Sequence, residues 1–591
     1  MIVYKDIQEN FGQSVIEGDM RFDLPTLKVE RERIDVDLKK KGYYNFNPGF
    51  LIFEADTNQY NNKRFDLFLR LKKDVPPKSV IPYQITTVNV YPNYNVDEDS
   101  INANYERYED KNYFQDELFF KPKYLDPYIL LEAGDYYDPE KSRNTSRRLA
   151  SIGSYKFVNI RYDEIDTLAT DSLGLLEANI FLSPLKKRAI RAELQAVTKS
   201  NNFAGPGLAL TFSNRNLFKG GESLHISANF GYEVQVAGGN QSGLNSIQLG
   251  LTNDLIIPRL LFPIKIDDDF FEYSIPKTKI TLGGDYLLRS QLYSLASLTA
   301  KFGYYWNANR YVSHEINPIS LNYVDLAKTT PEFDQILLDN PFLRNSFEQQ
   351  FIAGLTYSFI YNGLVDANKP HVFFFNSNWD IAGNSLSLFG KKSATGKKEI
   401  FGLEYAQYAK ADIDFRYHYR LGGGQTIATR LFAGIGIPFG NSDVMPFSKQ
   451  YFSGGPYSVR AFRTRSLGPG TFDRNSNNTE GFFDQTGNVR LEANAEYRFP
   501  LFQYVNGAVF ADAGNIWNTK DNKELEGDKF SSNFINELGI GAGVGIRIDI
   551  QNFVIRFDLA APLHDPALPQ GNRWNFDFAN PIFNFAIGYP F

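Results

Sequence analysis

Residues Glu537 to Ile550 read ELGIGAGVGIRIDI, and their side chains alternate without a break between two kinds. One parity carries the apolar side chains Leu538, Ile540, Ala542, Val544, Ile546, Ile548 and Ile550. The other parity carries Glu537, Arg547 and Asp549 among glycines. Because successive side chains of a β-strand point to opposite faces, this stretch predicts a strand with one apolar face and one polar face.

The same period of two recurs through the chain from about residue 188 onward. Leu224 to Gln235 and Asp412 to Leu421 alternate in the same way, with Tyr and Phe on the apolar parity. A soluble β-sandwich would also alternate, but its charged face would meet bulk water. Strands of about ten residues with aromatic ends are typical of a barrel that faces lipid outside and polar contents inside.

Counting these stretches predicts sixteen strands, an even number that suits a closed antiparallel barrel. The strands start near residues 188, 207, 223, 245, 278, 293, 311, 348, 371, 408, 426, 488, 507, 537, 552 and 583. Their connections are mostly short on one rim, as at Lys219 to Glu222, and long on the other, as at Pro438 to Gly487. This asymmetry is typical of outer-membrane proteins, so we expect an all-β transmembrane barrel of sixteen antiparallel strands over residues 187–591.

The composition excludes several classes of function. A net charge of -6 and a pI of about 5.7 give no reason to expect a nucleic-acid partner. The chain has no Cys and five His, and no spacing of these residues suits a metal site or a catalytic nucleophile. We therefore expect a protein that is not an enzyme and that has no cofactor and no catalytic metal. Asp267 to Asp269 are the exception to consider, since three carboxylates can hold Ca²⁺, but a solvated acidic turn is the favoured interpretation.

Residues 1 to 186 differ from the barrel pattern. A helix over Leu27 to Lys41 precedes strands at Phe50 to Asp56 and Arg64 to Leu71. The next unit is predicted to contain a strand at Tyr83 to Val90, helical pieces around Pro127 to Ala133 and Pro139 to Ile152, and strands at Tyr155 to Asp163 and Leu173 to Leu182. We predict two small α+β repeats in series, at residues 1–76 and 77–186, with a single α+β domain as the alternative. Met1 to Asn10 shows no signal peptide, so we expect a fragment or a mature form, with the first repeat truncated at its start.

The segment Tyr451 to Gly470, YFSGGPYSVRAFRTRSLGPG, is a Gly- and Pro-rich loop with three arginines between two alternating strands. One interpretation is a basic surface loop; the other is a loop, spanning 438–487, that folds into the barrel. Alternation places Glu496 and Asp512 on the interior wall, where Arg460 of an inward loop would reach them. A guanidinium and a carboxylate in planar, bidentate contact would pin the loop there.

Three short motifs and the C-terminal residue carry a resemblance to a known family. Ser458 to Phe462 (SVRAF) resembles a VRG(F/Y) loop motif, Phe510 to Gly514 (FADAG) an FxDxG strand motif, and Asn214 to Phe218 (NRNLF) an NxNLFG turn; the chain ends in Phe591. With the tandem α+β units, these resemble the BamA/TamA superfamily of outer-membrane insertases, whose relatives include two-partner-secretion transporters. Ala461 stands where that family usually has Gly, and a positive φ at this position would strain the loop.

The resemblance implies a set of parts and partners. The N-terminal repeats would be POTRA-like domains in the periplasm, and the barrel would lie in the outer membrane. The partners would be nascent outer-membrane client proteins, periplasmic or inner-membrane proteins that bind the POTRA-like domains, and outer-membrane lipid. The loop latch would consist of Arg460, Val459, Phe462, Asp512, Phe510 and Glu496.

The implied function is the insertion or translocation of client proteins, with a TamA-like role favoured over a BamA-like one. The alternative is a two-partner-secretion transporter that passes a polypeptide through the lumen; a passive porin fits less well. The barrel would open between its first strand, Arg188 to Thr198, and its last, Phe583 to Phe591, because Gly and Pro weaken the last strand. The expected lateral-gate residues are Arg191, Glu193, Leu194, Phe585, Gly588, Pro590 and Phe591.

Overall fold

The computed structural model describes most of the chain. The described residues are 2–60, 64–95, 105–165, 172–198, 203–235, 245–264, 266, 271, 273–339, 350–393, 396–400, 402–473, 485–520, 525–550 and 553–591. They form two compact units. The first comprises 1–189, 213–224 and 257–275, and the second comprises 190–212, 225–256 and 276–591. Asp267 to Asp269, the candidate cation site, lie outside the described residues.

The first unit begins with two helices and a hairpin. Its elements are α1 (Ile2–Glu9), α2 (Leu24–Lys40), β1 (Leu51–Asp56) and β2 (Asp66–Leu71), with β1 and β2 antiparallel. The Asp23 carboxylate accepts a hydrogen bond from the Thr26 backbone N–H at 3.0 Å and caps α2. Ile34 and Leu38 of α2 pack in a buried cluster with Leu51 of β1. The helix and both strands predicted for this stretch are confirmed.

A five-stranded sheet follows in the same unit. Its elements are β3 (Tyr83–Tyr91), β4 (Glu106–Tyr108), β5 (Lys111–Tyr113), α3 (Pro122–Leu125), α4 (Pro139–Ser151), β6 (Tyr155–Ile165) and β7 (Gly174–Pro184). The sheet order is β4-β5-β3-β7-β6, and β3 runs parallel to both β5 and β7. The predicted helix around Pro127 to Ala133 is wrong. The Leu130 N–H donates to the Thr145 hydroxyl of α4 at 3.0 Å, and Ile129 and Leu131 enter the core as irregular chain.

Sixteen strands form one antiparallel sheet in the order of the sequence. They are β8 (Arg188–Thr198), β9 (Phe203–Arg215), β10 (Ser223–Gln235), β11 (Asn245–Ile257), β12 (Lys277–Arg289), β13 (Tyr293–Asn307), β14 (Val312–Thr329), β15 (Gln350–Asn362), β16 (His371–Ala382), β20 (Tyr408–Gly422), β21 (Gln425–Pro438), β22 (Val489–Phe502), β23 (Val505–Trp517), β24 (Gly539–Ile550), β25 (Phe553–His564) and β26 (Ile582–Ile587). Between β16 and β20 lie the short strands β17 (Lys391–Lys392), β18 (Lys398–Ile400) and β19 (Leu403–Glu404), and α5 (Pro331–Asp339) follows β14. Every predicted strand start is within about four residues of the observed one, and the sixteen-stranded fold is confirmed.

The two faces of the strands differ as the alternation predicts. In β24, the Val544 side chain is 56% exposed, whereas Arg547 is fully buried. The apolar parity therefore forms the outer surface that meets lipid, and the polar parity lines the interior. Among the described residues, none of the helices has the length and apolarity needed to cross a membrane.

The last strand is shorter than predicted. β26 ends at Ile587 and does not reach Phe591, because Gly588 adopts a φ of +90° and turns the chain away from the sheet. The Gly588 N–H still donates to the Val554 carbonyl at 2.7 Å. Phe591 is buried, and its carbonyl accepts a hydrogen bond from the Arg498 guanidinium at 3.1 Å. The C-terminal residues therefore leave the edge of the sheet and turn toward an arginine of the interior wall.

We predict that Gly354→Ala destabilises the barrel and that Gly284→Ala does not. A Cβ added at Gly354 would lie 2.1 Å from the Ile381 carbonyl oxygen of the neighbouring strand, so the backbone must shift. At Gly284 the nearest atom is a flexible Leu298 methyl at 3.5 Å. The expected cost at Gly354 is roughly 1–3 kcal/mol of unfolding free energy, measured as a lower midpoint in heat-modifiable gel migration. Equal midpoints for the two variants would contradict this packing.

Candidate functional site

The loop after β21 makes a tight reversal before it meets the barrel wall. The Tyr451 backbone N–H donates to the Gly487 carbonyl at 2.8 Å, and the Gly487 N–H donates to the Tyr451 carbonyl at 3.0 Å. Between them the chain turns at Gly454 and Gly455, whose φ angles are +92° and +100°. A Cβ at Gly454 would lie 2.4 Å from the Arg463 carbonyl, so only glycine fits this close approach. The reversal puts residues 458–462 at the tip of the loop.

Arg460 at this tip is fully buried and holds two carboxylates. Its Nε and Nη2 donate to the two oxygens of Asp512 at 2.8 and 2.9 Å, which is a bidentate contact. Its Nη1 donates to Glu496 Oε2 at 2.5 Å. Its backbone N–H also donates to Asp512 Oδ2 at 3.1 Å. The loop is therefore folded into the barrel, and the interpretation as a basic surface loop is wrong.

Apolar side chains surround the ion pair on the loop side. The Arg460 guanidinium carbon lies 3.4 Å from the centroid of the Phe510 ring, close enough for a cation–π contact. The apolar cluster around it consists of Val459, Ala461, Phe462, Leu467, Phe510 and Ala560. All six predicted latch residues thus meet at one place. The strain considered for Ala461 does not arise, because this residue has no positive φ.

Further charges continue the ion pair along the wall, and sequence reasoning did not include them in the site. Arg547 of β24 donates to Glu496 Oε2 at 3.0 Å and to Asp558 Oδ1 at 2.6 Å. Arg556 donates to the other oxygen of Asp558 at 2.7 Å. Alternation does place Arg547 on the polar face of its strand, but it does not show which carboxylates lie at the same height.

A second group of charges anchors the start of the loop tip. Glu492 of β22 accepts hydrogen bonds from the Ser458 hydroxyl at 2.7 Å and from Arg430 Nη1 at 2.9 Å. Arg430 also contacts Asp414 at 3.0 Å. The Asn494 side chain donates to the Ser458 carbonyl at 3.2 Å. Side chains of β20 to β22 therefore anchor the loop by polar contacts at Ser458, which precedes Arg460 in the chain.

The loop also contacts the last strand directly. The Asn584 side chain of β26 donates to the Arg460 carbonyl at 2.9 Å. The Tyr457 hydroxyl donates to the Ile587 carbonyl at the end of β26. Arg556 of the neighbouring strand donates to the Pro456 carbonyl at 2.7 Å. The loop thus supports β26 from inside the barrel.

The predicted gate residues divide between the two ends of the sheet. On β8, Arg191 and Glu193 form an ion pair with each other, and Leu194 is 88% exposed. At the other end, Phe585 is 56% exposed on the outer face, while Gly588, Pro590 and Phe591 belong to the turned-in tail. In the described part of the chain, no group of His, Asp and Glu is arranged to hold a metal ion.

Comparisons with known proteins relate the chain to a family and to solved structures. Residues 206–591 match the Omp85 superfamily domain. The outer membrane protein assembly factor BamA of Neisseria meningitidis serogroup B is 26% identical over 189 residues, which cover 29% of this chain and 23% of that protein. The match therefore spans about a quarter of the length of that relative. The crystal structure of BamA from Haemophilus ducreyi lacking POTRA domains 1–3 aligns with 99% of this chain and 97% of its own, at 14% identity and a TM-score of 0.54. CdiB from Acinetobacter baumannii aligns with 99% of this chain and 85% of its own, at 12% identity and a TM-score of 0.47.

We predict that Arg460→Ala releases the loop tip while the barrel still folds. Removing one partner of a buried charge pair destabilises the docked loop by roughly 2–5 kcal/mol of free energy, because the remaining carboxylates stay buried without this counter-charge. Arg460→Lys should be intermediate, since an ammonium cannot make the bidentate contact, and Asp512→Asn should be milder than Arg460→Ala. The measurement is the rate of trypsin cleavage at Arg463 and Arg465 in folded protein. Unchanged protection in Arg460→Ala would contradict the latch.

A second prediction displaces the loop without removing a charge. A Cβ added at Gly541 of β24 would lie 2.1 Å from the Cβ of Ala461, so Gly541→Ala should push the loop tip off the wall. The double variant Gly541→Ala with Ala461→Gly removes the clash and should recover most of the trypsin protection. The recovery is expected to be incomplete because the new methyl also lies 3.2 Å from the Ala561 carbonyl. If the double variant is no better protected than Gly541→Ala, steric contact at this point does not position the loop.

Proposed function

Because the chain belongs to the Omp85 superfamily, we propose that it inserts or translocates client proteins in the outer membrane through a seam between β8 and β26. The observation that carries this proposal is the order of the sixteen-stranded sheet, which has β8 at one end and β26 at the other. A client strand would pair with one of these edges by β-augmentation and leave sideways into the lipid.

The last strand supports a seam that opens at low cost. β26 has six residues, whereas β25 has twelve and β8 has eleven. Because a six-residue strand offers few backbone groups to β8, a seam between β8 and β26 would be held by fewer hydrogen bonds than the pairings of the longer strands. Pro590 in the tail lacks an N–H, and the tail does not lengthen the edge. A client strand would satisfy the backbone groups that opening exposes to lipid.

The buried loop favours a lateral exit over a path through the lumen. A polypeptide passing through the lumen must displace a loop whose Arg460 is fully buried between Asp512 and Glu496. A lateral exit does not require the client to pass those ion pairs. A two-partner-secretion type of transport stays the alternative, and the TamA-like role stays a prediction. In this proposal the rim where β8 begins faces the periplasm, and the α+β first unit meets client and partner proteins in the periplasm.

We predict that a disulfide across the seam abolishes client assembly and that reduction restores it. Cysteine pairs would join positions 191–194 of β8 to positions 583–587 of β26, in a chain that has no native Cys to compete. The measurement is the rate at which a radiolabelled outer-membrane client folds into liposomes containing the purified protein. Locking the seam removes the edge that the client must pair with, so the rate should fall to that of protein-free liposomes.

The matched control is a disulfide between Val544 and Leu559, which are register partners in the interior pairing of β24 with β25. This link closes no edge and should leave the rate unchanged. If the seam-locked protein assembles clients as fast as this control, lateral opening is not the mechanism. Transport through the lumen, with movement of the inward-folded loop, would then be the better explanation.

A further inference from the structure

A cluster of charged side chains lies on the rim where β8 begins, far from the seam in the order of strands. Asp366 is in the turn between β15 and β16, and its carboxylate has three partners. Lys369 Nζ lies at 2.7 Å, the Tyr311 hydroxyl at 2.9 Å and Arg310 Nη2 at 3.2 Å. Lys369 belongs to the same turn, and Arg310 and Tyr311 stand just before β14. We call these four residues and Arg420 the rim cluster.

Arg420 of β20 fixes the turn that carries Asp366. Its Nη1 lies 2.6 Å from the Asp366 carbonyl oxygen, 2.8 Å from that of Ala367 and 2.9 Å from that of Lys369. The rim cluster thus has three cations and one carboxylate. Hydrogen bonding to Lys369 and to Tyr311 holds the pKa of Asp366 below its usual value, so the carboxylate stays ionised. The excess positive charge is accessible, because the Arg310 and Lys369 side chains are 62% and 63% exposed.

A row of stacked rings runs from the rim cluster onto the outer face of the barrel. The Arg310 guanidinium carbon and Lys369 Nζ each lie 5.7 Å from the centroid of the Tyr311 ring. Tyr311 stacks on Tyr361 at 5.8 Å, and Tyr361 stacks on Phe373 at 4.5 Å. Phe373 is 42% exposed and shares its parity with Trp379, which is 50% exposed on the outer face. The cations at the rim therefore lie next to a row of aromatic rings on the outer face of the barrel.

We propose that the rim cluster binds the headgroup of an anionic phospholipid, with an acyl chain lying along Tyr361 and Phe373. The site rests on the proposed placement in the outer membrane, where this rim meets the periplasmic leaflet. Arg and Lys pair with a phosphate by charge-assisted hydrogen bonds, and the rings suit the boundary between headgroup and acyl chain. A zwitterionic lipid binds less well, because its ammonium group is repelled by the excess positive charge.

The two connections that follow on this rim carry no cations. The connection between β20 and β21, Gly422 to Gln425, has the sequence GGGQ and carries no charged side chain. The connection between β22 and β23 contains Gln503 and Tyr504, which are also uncharged. An anionic headgroup that meets these parts of the rim finds hydrogen-bonding groups without the cations. We therefore expect an anionic lipid to prefer the position beside β14 to β20 over the part of the rim beside β21 to β23.

The test is lipid retention by the whole purified chain, measured by native mass spectrometry after equilibration with phosphatidylglycerol or phosphatidylethanolamine. The native protein should retain phosphatidylglycerol preferentially. Arg310→Gln with Lys369→Gln should weaken that retention by about fivefold for each cation removed. The charge-preserving variant Arg310→Lys with Lys369→Arg should keep it, which separates charge from a change of fold.

The matched control is Lys391→Gln with Lys392→Gln, which removes the same charge from β17 on the opposite rim and should leave retention unchanged. Equal retention of the two lipids by the native protein would overturn the proposal, and so would equal losses in the two Gln variants. Release of phosphatidylglycerol by inorganic phosphate at equal concentration would indicate a free-anion site and would also overturn it. Client assembly is not part of the readout, so a failed seam experiment leaves this result unaffected.

Discussion

The pairing of Arg460 with Asp512 and Glu496 determines the arrangement of the interior on this side of the barrel. All three side chains are removed from water, and an unpaired charge in such a place costs several kcal/mol. The pairing also extends beyond these residues, because Glu496 and Asp558 share Arg547. A loop held in this way has a docked state in which the charges satisfy each other, and an undocked state in which water must replace them. Intermediate positions are unfavourable, since a partly withdrawn guanidinium has neither carboxylate nor full hydration.

The same loop links this charge network to the weakest strand. β26 pairs with β25 through six register partners, and the loop adds contacts from Asn584 to the Arg460 carbonyl and from Tyr457 to the Ile587 carbonyl. For so short a strand, two further hydrogen bonds are a substantial part of what holds it. Undocking the loop therefore weakens β26, and parting β26 from its neighbours loosens the loop, because each binding free energy includes the other contact. The position of the loop and the state of the seam are thus coupled through shared hydrogen bonds.

Alternation alone was sufficient to predict the strands and the face of the barrel on which Glu496 and Asp512 lie. It was not sufficient to identify Arg547 and Asp558 as their neighbours, because alternation gives the face of a side chain and not its height along the barrel, which depends on the register between strands. The end of β26 was also missed, since it depends on the positive φ of Gly588, and glycine adopts either sign of φ. A helical piece was predicted around Pro127 to Ala133, but tertiary packing of Ile129 and Leu131 in the core against α4 holds that chain in an irregular form.

A barrel that opens at one seam must resist opening at its other strand pairings. The strands halfway round the sheet from β8 and β26 are well suited to resist. β14 is eighteen residues long, and its turn is tied to that of β15 and β16 by Asp366 and its three side-chain partners. Stacked rings join β15 to β16 at Tyr361 and Phe373, and β16 to β20 at His371 and Tyr419, whose ring centroids are 4.5 Å apart in both cases. Long ladders and cross-strand aromatic pairs raise the cost of separating these strands, so the proposed opening would be favoured at the ends of the sheet, where β26 is only six residues long. In the proposed mechanism, the difference between the two sides, more than weakness of the seam by itself, would confine opening to β8 and β26.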